Sequence, residues 1–211
     1  MILKPPKLGN NVFIVGNRYG GKTFLAQQLA QYYKDVIYFD INGFLKPSKN
    51  IKEIIKTDDL KDALKYKGHI VVVPKKSQRN QKAYAWFFDQ LASKARRVVV
   101  VIDECFLIGK MNSLSYPAEL QQLLATGRHR FVSPWIIVQR PKFVPSNAMA
   151  LADHWFVFPV PQQDLPALED KLPKEAVQEI IDLKNKPKYS FVHIWNDEGE
   201  IKWQTMPKIE S

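Results

Sequence analysis

The sequence predicts an α/β protein with a mainly parallel, doubly wound sheet and helices on both of its faces. Three observations lead there. Apolar, β-branched runs of four to six residues recur along the chain and are mostly continuous, as in strands covered on both sides. Stretches with apolar residues at helical spacing fall between them. Residues 16 to 23 read Gly-Asn-Arg-Tyr-Gly-Gly-Lys-Thr, a complete G-x-x-x-x-G-K-[ST] loop, and such a loop joins a strand to a helix.

Taken in order, residues 1 to 10, with Pro5-Pro6 and Gly9, read as an extended lead-in. Strands are expected at Val12–Val15, Val36–Asp40, Ile70–Val73, Val98–Ile102, Trp135–Val138 and Trp155–Val160. Helices are expected at Thr23–Tyr33, Asp58–Tyr66, Gln81–Lys94, Pro117–Thr126 and Asn147–Ala152. The tail from 161 to 211 opens on a stretch rich in Pro and acidic residues. It then offers a helix at Lys174–Leu183 and a hairpin, Tyr189–Trp195 with Glu200–Gln204, turning at 196–199 and ending in Gly199. Too small for a core of its own, the tail is expected as an appendage on a single domain whose core spans about residues 10–160.

Composition narrows the class. The chain has 211 residues, 45% hydrophobic and 25% charged, which is ordinary for a globular domain. Val98 to Ile102, five residues closed by two acids, is far short of a bilayer span, so no transmembrane segment is expected. The N-terminus lacks the apolar core of a signal peptide, and Cys105 alone excludes an internal disulfide. A soluble, intracellular protein is the expectation. The net charge is +10, and residues 46 to 82 hold most of the excess, with eleven Lys/Arg against four Asp/Glu. Concentrated basicity points to a polyanionic partner, although a solvated surface would look the same.

The chemistry sits in a few places. The loop of Gly16, Asn17, Arg18, Tyr19, Gly20, Gly21, Lys22 and Thr23 points backbone N–H groups and a helix N-terminus at one anion. Lys22 would reach the β- and γ-phosphates of ATP, and the Thr23 hydroxyl would hold Mg²⁺. The apolar strand Val98–Ile102 ends in Asp103-Glu104. Asp103 is the second candidate ligand of Mg²⁺, and Glu104 the candidate general base for water. An acid directly after the Mg²⁺ aspartate favours hydrolysis over transfer to a small acceptor. Gln139 closes a buried strand at the end where ligands of such sheets bind, and is placed to orient water or sense the γ-phosphate. Arg128 and Arg130 follow a helix and a glycine, and an arginine there can complete a neighbouring subunit's site.

The ordered set Gly16–Thr23, Val98–Glu104, Gly127-Arg128-His129-Arg130, an apolar strand and Gln139-Arg140-Pro141 resembles the FtsK–HerA superfamily of P-loop ATPases, which move DNA. Within it, a chain of this length looks like the genome-packaging ATPases of membrane-containing icosahedral viruses. The resemblance covers about residues 10 to 160. It implies a RecA/ASCE-like P-loop NTPase sheet in which the Gln139 strand lies between the strands of Gly16 and Asp103. It also implies ATP hydrolysis coupled to translocation of double-stranded DNA, a homo-oligomeric ring (a hexamer), and a partner at the capsid's packaging vertex. The location that follows is the host cytoplasm or the virion at that vertex. Arg128 corresponds best to the finger that acts in trans. Val138 departs from the family, which often has Thr or Ser before the Gln. A motor of this kind grips phosphates, so Lys75, Lys76, Arg79 and Lys82 are candidate DNA contacts.

Two other readings stay open. One is a phage assembly or secretion ATPase of the zonula occludens toxin-like type, acting on protein or on single-stranded DNA extrusion. The other is a small-molecule kinase, with Arg128, Arg130 and Arg140 as a lid over phosphates.

Overall fold

The computed structural model describes residues 4–46, 54–108, 116–196 and 199–205. Nine strands form one sheet: β1 Val12–Val15, β2 Val36–Asp40, β3 Ile54–Thr57, β4 His69–Val72, β5 Val98–Asp103, β6 Val132–Val138, β7 His154–Val157, β8 Ser190–Trp195 and β9 Glu200–Thr205. Their order is β3-β4-β2-β5-β6-β1-β7-β8-β9. All neighbours from β3 to β7 are parallel; β7–β8 and β8–β9 are antiparallel. The helices are α1 Lys22–Ala30, α2 Leu60–Ala63, α3 Gln81–Lys94, α4 Ala118–Thr126, α5 Ser146–Met149, α6 Leu165–Glu169 and α7 Lys174–Asp182. No described helix is long and apolar enough to cross a membrane.

The period of two along each strand divides the core. Phe13, Val15, Phe39, Val100, Ile102, Ile136 and Val138 face α3, α4 and α7, through Phe87, Phe88, Leu91, Leu120, Leu123 and Ile180. Val12, Ile14, Tyr38, Val99, Val101, Trp135 and Ile137 face α1, through Leu25, Ala26 and Leu29. Every residue of β1, β2, β6 and β7 is buried. This is why these runs read as continuously apolar: each face of the strand has its own cover. β6 lies between β5 and β1, the order implied by the resemblance.

Three differences from the sequence expectations have physical causes. β3 was not expected; it is a short edge strand carrying Lys56, and too little of it is apolar to stand out. The expected helix Asp58–Tyr66 shrinks to α2, capped where the Asp59 carboxylate accepts from the Lys61 N–H at 2.8 Å. β6 begins at Val132 rather than Trp135. Pro134 is tolerated because pairing with β1 opens only at Trp135, opposite Val12. The C-terminal hairpin packs on the same domain through its sheet, which β8 and β9 lengthen past β7. Residues 197 and 198 of its turn, and 47–53 of the basic stretch, lie outside the described residues.

Candidate nucleotide site

The phosphate loop leaves β1 at its carboxyl end. The Gly16 N–H donates to the Val138 carbonyl at 3.3 Å, and the Asn17 N–H to the Pro159 carbonyl at 3.0 Å, so the loop is braced by the end of β6 and the segment after β7. Gly16 has no room for a side chain: a Cβ there would lie 2.5 Å from the Phe158 Cβ. Gly21 caps α1 at φ 96°, in the left-handed region. Tyr19, at φ 60°, is 90% exposed at the tip of the loop.

Lys22 is buried and folds over the loop. Its Nζ donates to the Gly16 carbonyl at 2.7 Å and the Asn17 carbonyl at 2.6 Å. Burial pushes its ammonium down to about 8, against the raising pull of the Asp103 and Glu104 carboxylates. A phosphate oxygen would compensate that desolvated charge more fully than two neutral carbonyls do. The Thr23 hydroxyl donates to the Asp103 Oδ2 at 2.8 Å, so the two candidate Mg²⁺ ligands converge. Burial raises the Asp103 carboxyl above the usual range, opposed by the Thr23 hydrogen bond. A hydroxyl and one desolvated carboxylate, with phosphate oxygens and waters to complete an octahedron, suit Mg²⁺.

Glu104 takes the left-handed region at φ 50°, ψ 48°, uncommon for a residue with a Cβ and a place where strain marks function. The turn aims its side chain across the end of the sheet. Gln139 Nε2 donates to Glu104 Oε1 at 2.6 Å, and Asn42 Nδ2 donates to Oε2 at 2.6 Å. Lys22, Thr23, Asp103, Glu104 and Gln139, from three adjacent strands, are thus brought to one place. Asn42 is a site residue that the sequence reading missed. Its loop is pinned by Asp40, whose Oδ1 accepts from the N–H groups of Asn42 at 3.2 Å and Gly43 at 2.9 Å, and whose Oδ2 accepts from Leu45 at 2.7 Å. Only the pairing of β2 with β5, Asp40 opposite Asp103, carries that loop to the site.

The remaining candidates lie apart. Lys75, Lys76 and Arg79 are exposed between β4 and α3, and Lys82 is exposed in the first turn of α3, at the same end of the sheet as the phosphate loop. Lys75 Nζ bonds the Asp59 Oδ2 at 2.7 Å, and Arg79 Nε donates to the Pro74 carbonyl at 2.7 Å. Arg128 and Arg130 lie in the turn that precedes β6, at the opposite end. Gly9 supports that turn: at φ +97°, a Cβ on it would lie 3.2 Å from the Arg128 Cα. Arg128 is exposed there; the Arg97 N–H donates to the Arg130 carbonyl at 3.0 Å, and its guanidinium lies over the Phe131 ring at 5.4 Å. Arg140 forks onto the buried Asp164, Nε to Oδ2 at 2.8 Å and Nη2 to Oδ1 at 3.0 Å. It braces the segment after β7.

No protein-family model and no curated protein matches the chain. Solved structures do. The fold is similar to that of the genome packaging NTPase B204 of Sulfolobus turreted icosahedral virus 2 in complex with AMPPCP, with a TM-score of 0.75 at 20% identity over 94% of this chain and 98% of that one. VirB4 of Thermoanaerobacter pseudethanolicus has a TM-score of 0.66 at 12% identity over 100% of this chain and 98% of that chain. The pCW3 conjugation coupling protein TcpA, a monomer form with ATPγS, has a TM-score of 0.59 at 15% identity over 93% of this chain and 60% of that chain. The likeness is one of fold, a P-loop α/β architecture shared along nearly the whole chain.

Proposed function

We propose that the chain is an ATP-hydrolysing motor of the FtsK–HerA type that packages viral double-stranded DNA into a preformed capsid. The observation that carries this reading is the Glu104 carboxylate, held by Gln139 beside the converging Thr23 and Asp103 at the mouth of the phosphate loop. A carboxylate held there, directly after the candidate Mg²⁺ aspartate, is placed to take a proton from a water at the γ-phosphate, which favours hydrolysis. Support also comes from the fold shared with a structure described as a genome packaging NTPase.

In this mechanism the phosphate loop and Lys22 bind the β- and γ-phosphates. Thr23 and Asp103 would hold Mg²⁺, which neutralises charge on the phosphate oxygens. Glu104 takes a proton from water; the water oxygen bonds to the γ-phosphorus as the bond to the β–γ bridging oxygen breaks, leaving ADP and phosphate. Gln139 keeps Glu104 aimed at that water. Arg128 stands a full strand away from its own phosphate loop. The seven residues of β6 span ~23 Å at ~3.3 Å each. It therefore serves the nucleotide of the next subunit in a ring, a hexamer. Lys75, Lys76, Arg79 and Lys82 grip DNA phosphates, and the ring docks at the packaging vertex.

The test is ATP turnover with and without duplex DNA, read together with oligomeric state. Stimulation by duplex DNA of any sequence, in the fractions that hold rings, is expected. Turnover indifferent to duplex DNA would transfer the reading to an assembly ATPase acting on protein or on single-stranded DNA extrusion. Transfer of phosphate to a small acceptor would end it.

A further inference from the structure

We propose that Asn42 is a positioning residue for Glu104, acting from the loop after β2 as the second arm of a two-amide clamp on the catalytic carboxylate. The proposal rests on the reading of Glu104 as general base. It begins with the geometry. A glutamate has three rotatable side-chain bonds, and Glu104 sits on a left-handed turn with nothing in its own backbone to fix the carboxylate. Gln139 alone would hold one oxygen and leave the group free to swing about that contact. Asn42 takes the other oxygen at the same distance, 2.6 Å, from the opposite neighbour: Gln139 follows β6 and Asn42 follows β2, the two strands that flank β5. Each oxygen accepts one of these hydrogen bonds and keeps a lone pair for a water proton.

Asn42 is itself held. The Asp40 carboxylate accepts three backbone N–H groups within five residues, which closes the loop into a tight turn with Asn42 at its start. Asp40 is buried and stands in register with Asp103, so the turn is anchored to the strand that carries the base. A side chain that merely stabilised its own loop would have no need to reach the residue that follows β5. Asn42 makes its bond to the one group whose aim decides the attack on water. Misplacing such a group by about 1 Å costs on the order of 100-fold in rate.

The experiment compares Asn42→Ala, Asn42→Asp and Asn42→Gln with Glu104→Gln in the full chain, reading kcat, KM for ATP, affinity for ATPγS and melting temperature. The expected result is a kcat for Asn42→Ala lower by about 10- to 100-fold, with KM, ATPγS affinity and melting temperature unchanged. Asn42→Asp should fall further, because an acceptor of like charge then faces the carboxylate. Asn42→Gln should recover part of the rate, since it keeps the amide donor. Unchanged kcat in Asn42→Ala beside an inactive Glu104→Gln overturns the positioning role and leaves the base assignment standing. Normal hydrolysis by Glu104→Gln overturns the base assignment itself. A fall in kcat matched by lost ATPγS affinity or a lower melting temperature reduces Asn42 to a structural residue and also overturns the proposal.

Discussion

Gln139 and Glu104 are 35 residues apart in sequence, yet the amide of one donates to the carboxylate of the other at 2.6 Å across the end of the sheet. The bond exists because β6 lies directly beside β5 in parallel, so both residues leave the sheet at the same end. It ties the group that would activate water to a strand inserted between the two halves of the nucleotide site.

That arrangement separates binding from chemistry. Lys22 is built into the phosphate loop, whereas the Glu104 carboxylate is held by Gln139 and Asn42. Lys22→Ala should therefore lose nucleotide binding. Glu104→Gln should bind ATP normally and hydrolyse it about 10²–10⁴ times more slowly. Equilibrium binding of a labelled nucleotide and steady-state phosphate release check both. Near-normal phosphate release by Glu104→Gln would remove the residue from catalysis.

The DNA contacts are tested by salt. If Lys75, Lys76, Arg79 and Lys82 meet phosphates, each loss should lower the slope of log affinity against log salt by roughly 0.9 on duplex DNA. The exposed Lys75–Asp59 pair is no obstacle, since an ion pair of this kind is weak and exchanges readily for a phosphate. Measured for the quadruple Ala variant, an unchanged slope would return these residues to a solvated surface.

Arg128 is tested by mixing. Arg128→Ala should bind ATP almost normally and turn it over some 10³-fold or more slowly, the usual worth of a finger acting in trans. Combined with Lys22→Ala subunits, it should regain activity, because an intact phosphate loop then sits beside an intact arginine. Mixed rings that form and stay inactive would sink the assignment. Rescue by Arg130→Ala in its place would move the finger two residues on.

A pair of histidines makes stability depend on pH. His154 Nδ1 lies 3.1 Å from His193 Nε2, and His193 stacks on Phe156 at 4.3 Å between centroids. Burial pushes both rings down to about 4, aided at His154 by the charge of Lys7. In the unfolded chain they titrate near 6.5. Between those values the unfolded state binds protons that the folded state refuses, so stability falls as pH drops below 6.5. By pH 5 the loss should be on the order of 2 kcal/mol for each ring, or roughly 4 kcal/mol for the pair. Melting temperatures at pH 7 and pH 5 give the slope, and His193→Phe, which keeps the stack, should flatten it. Equal slopes in both proteins would show that other groups govern the acid limb.

The parts legible in the sequence are those whose chemistry is local. Gly16 to Thr23 needs a strand, a turn and a helix in immediate succession, and Asp103-Glu104 needs only the end of an apolar strand; both can be read from neighbouring residues. Gln139 was legible as a polar strand end, but its partner was not, because strand order decides which side chain faces it. Asn42 carried no signal at all. It is an ordinary Asn in a turn until β2 pairs with β5. The edge strand β3 was hidden for a related reason: half-exposed and short, it lacks the run of apolar residues that marks the central strands.

β6 has a consequence for timing. It is buried at all seven positions and paired to a neighbour on each side, which makes it a stiff element. At one end the chain carries Arg128, facing outward; at the other, Gln139, with its hold on Glu104. On the proposed reading, a push on the arginine from the adjoining nucleotide travels the length of the strand and arrives as a change in the aim of the base. Each subunit would then know the state of its neighbour's ATP before spending its own, and a ring of such subunits could fire in sequence without any separate clock.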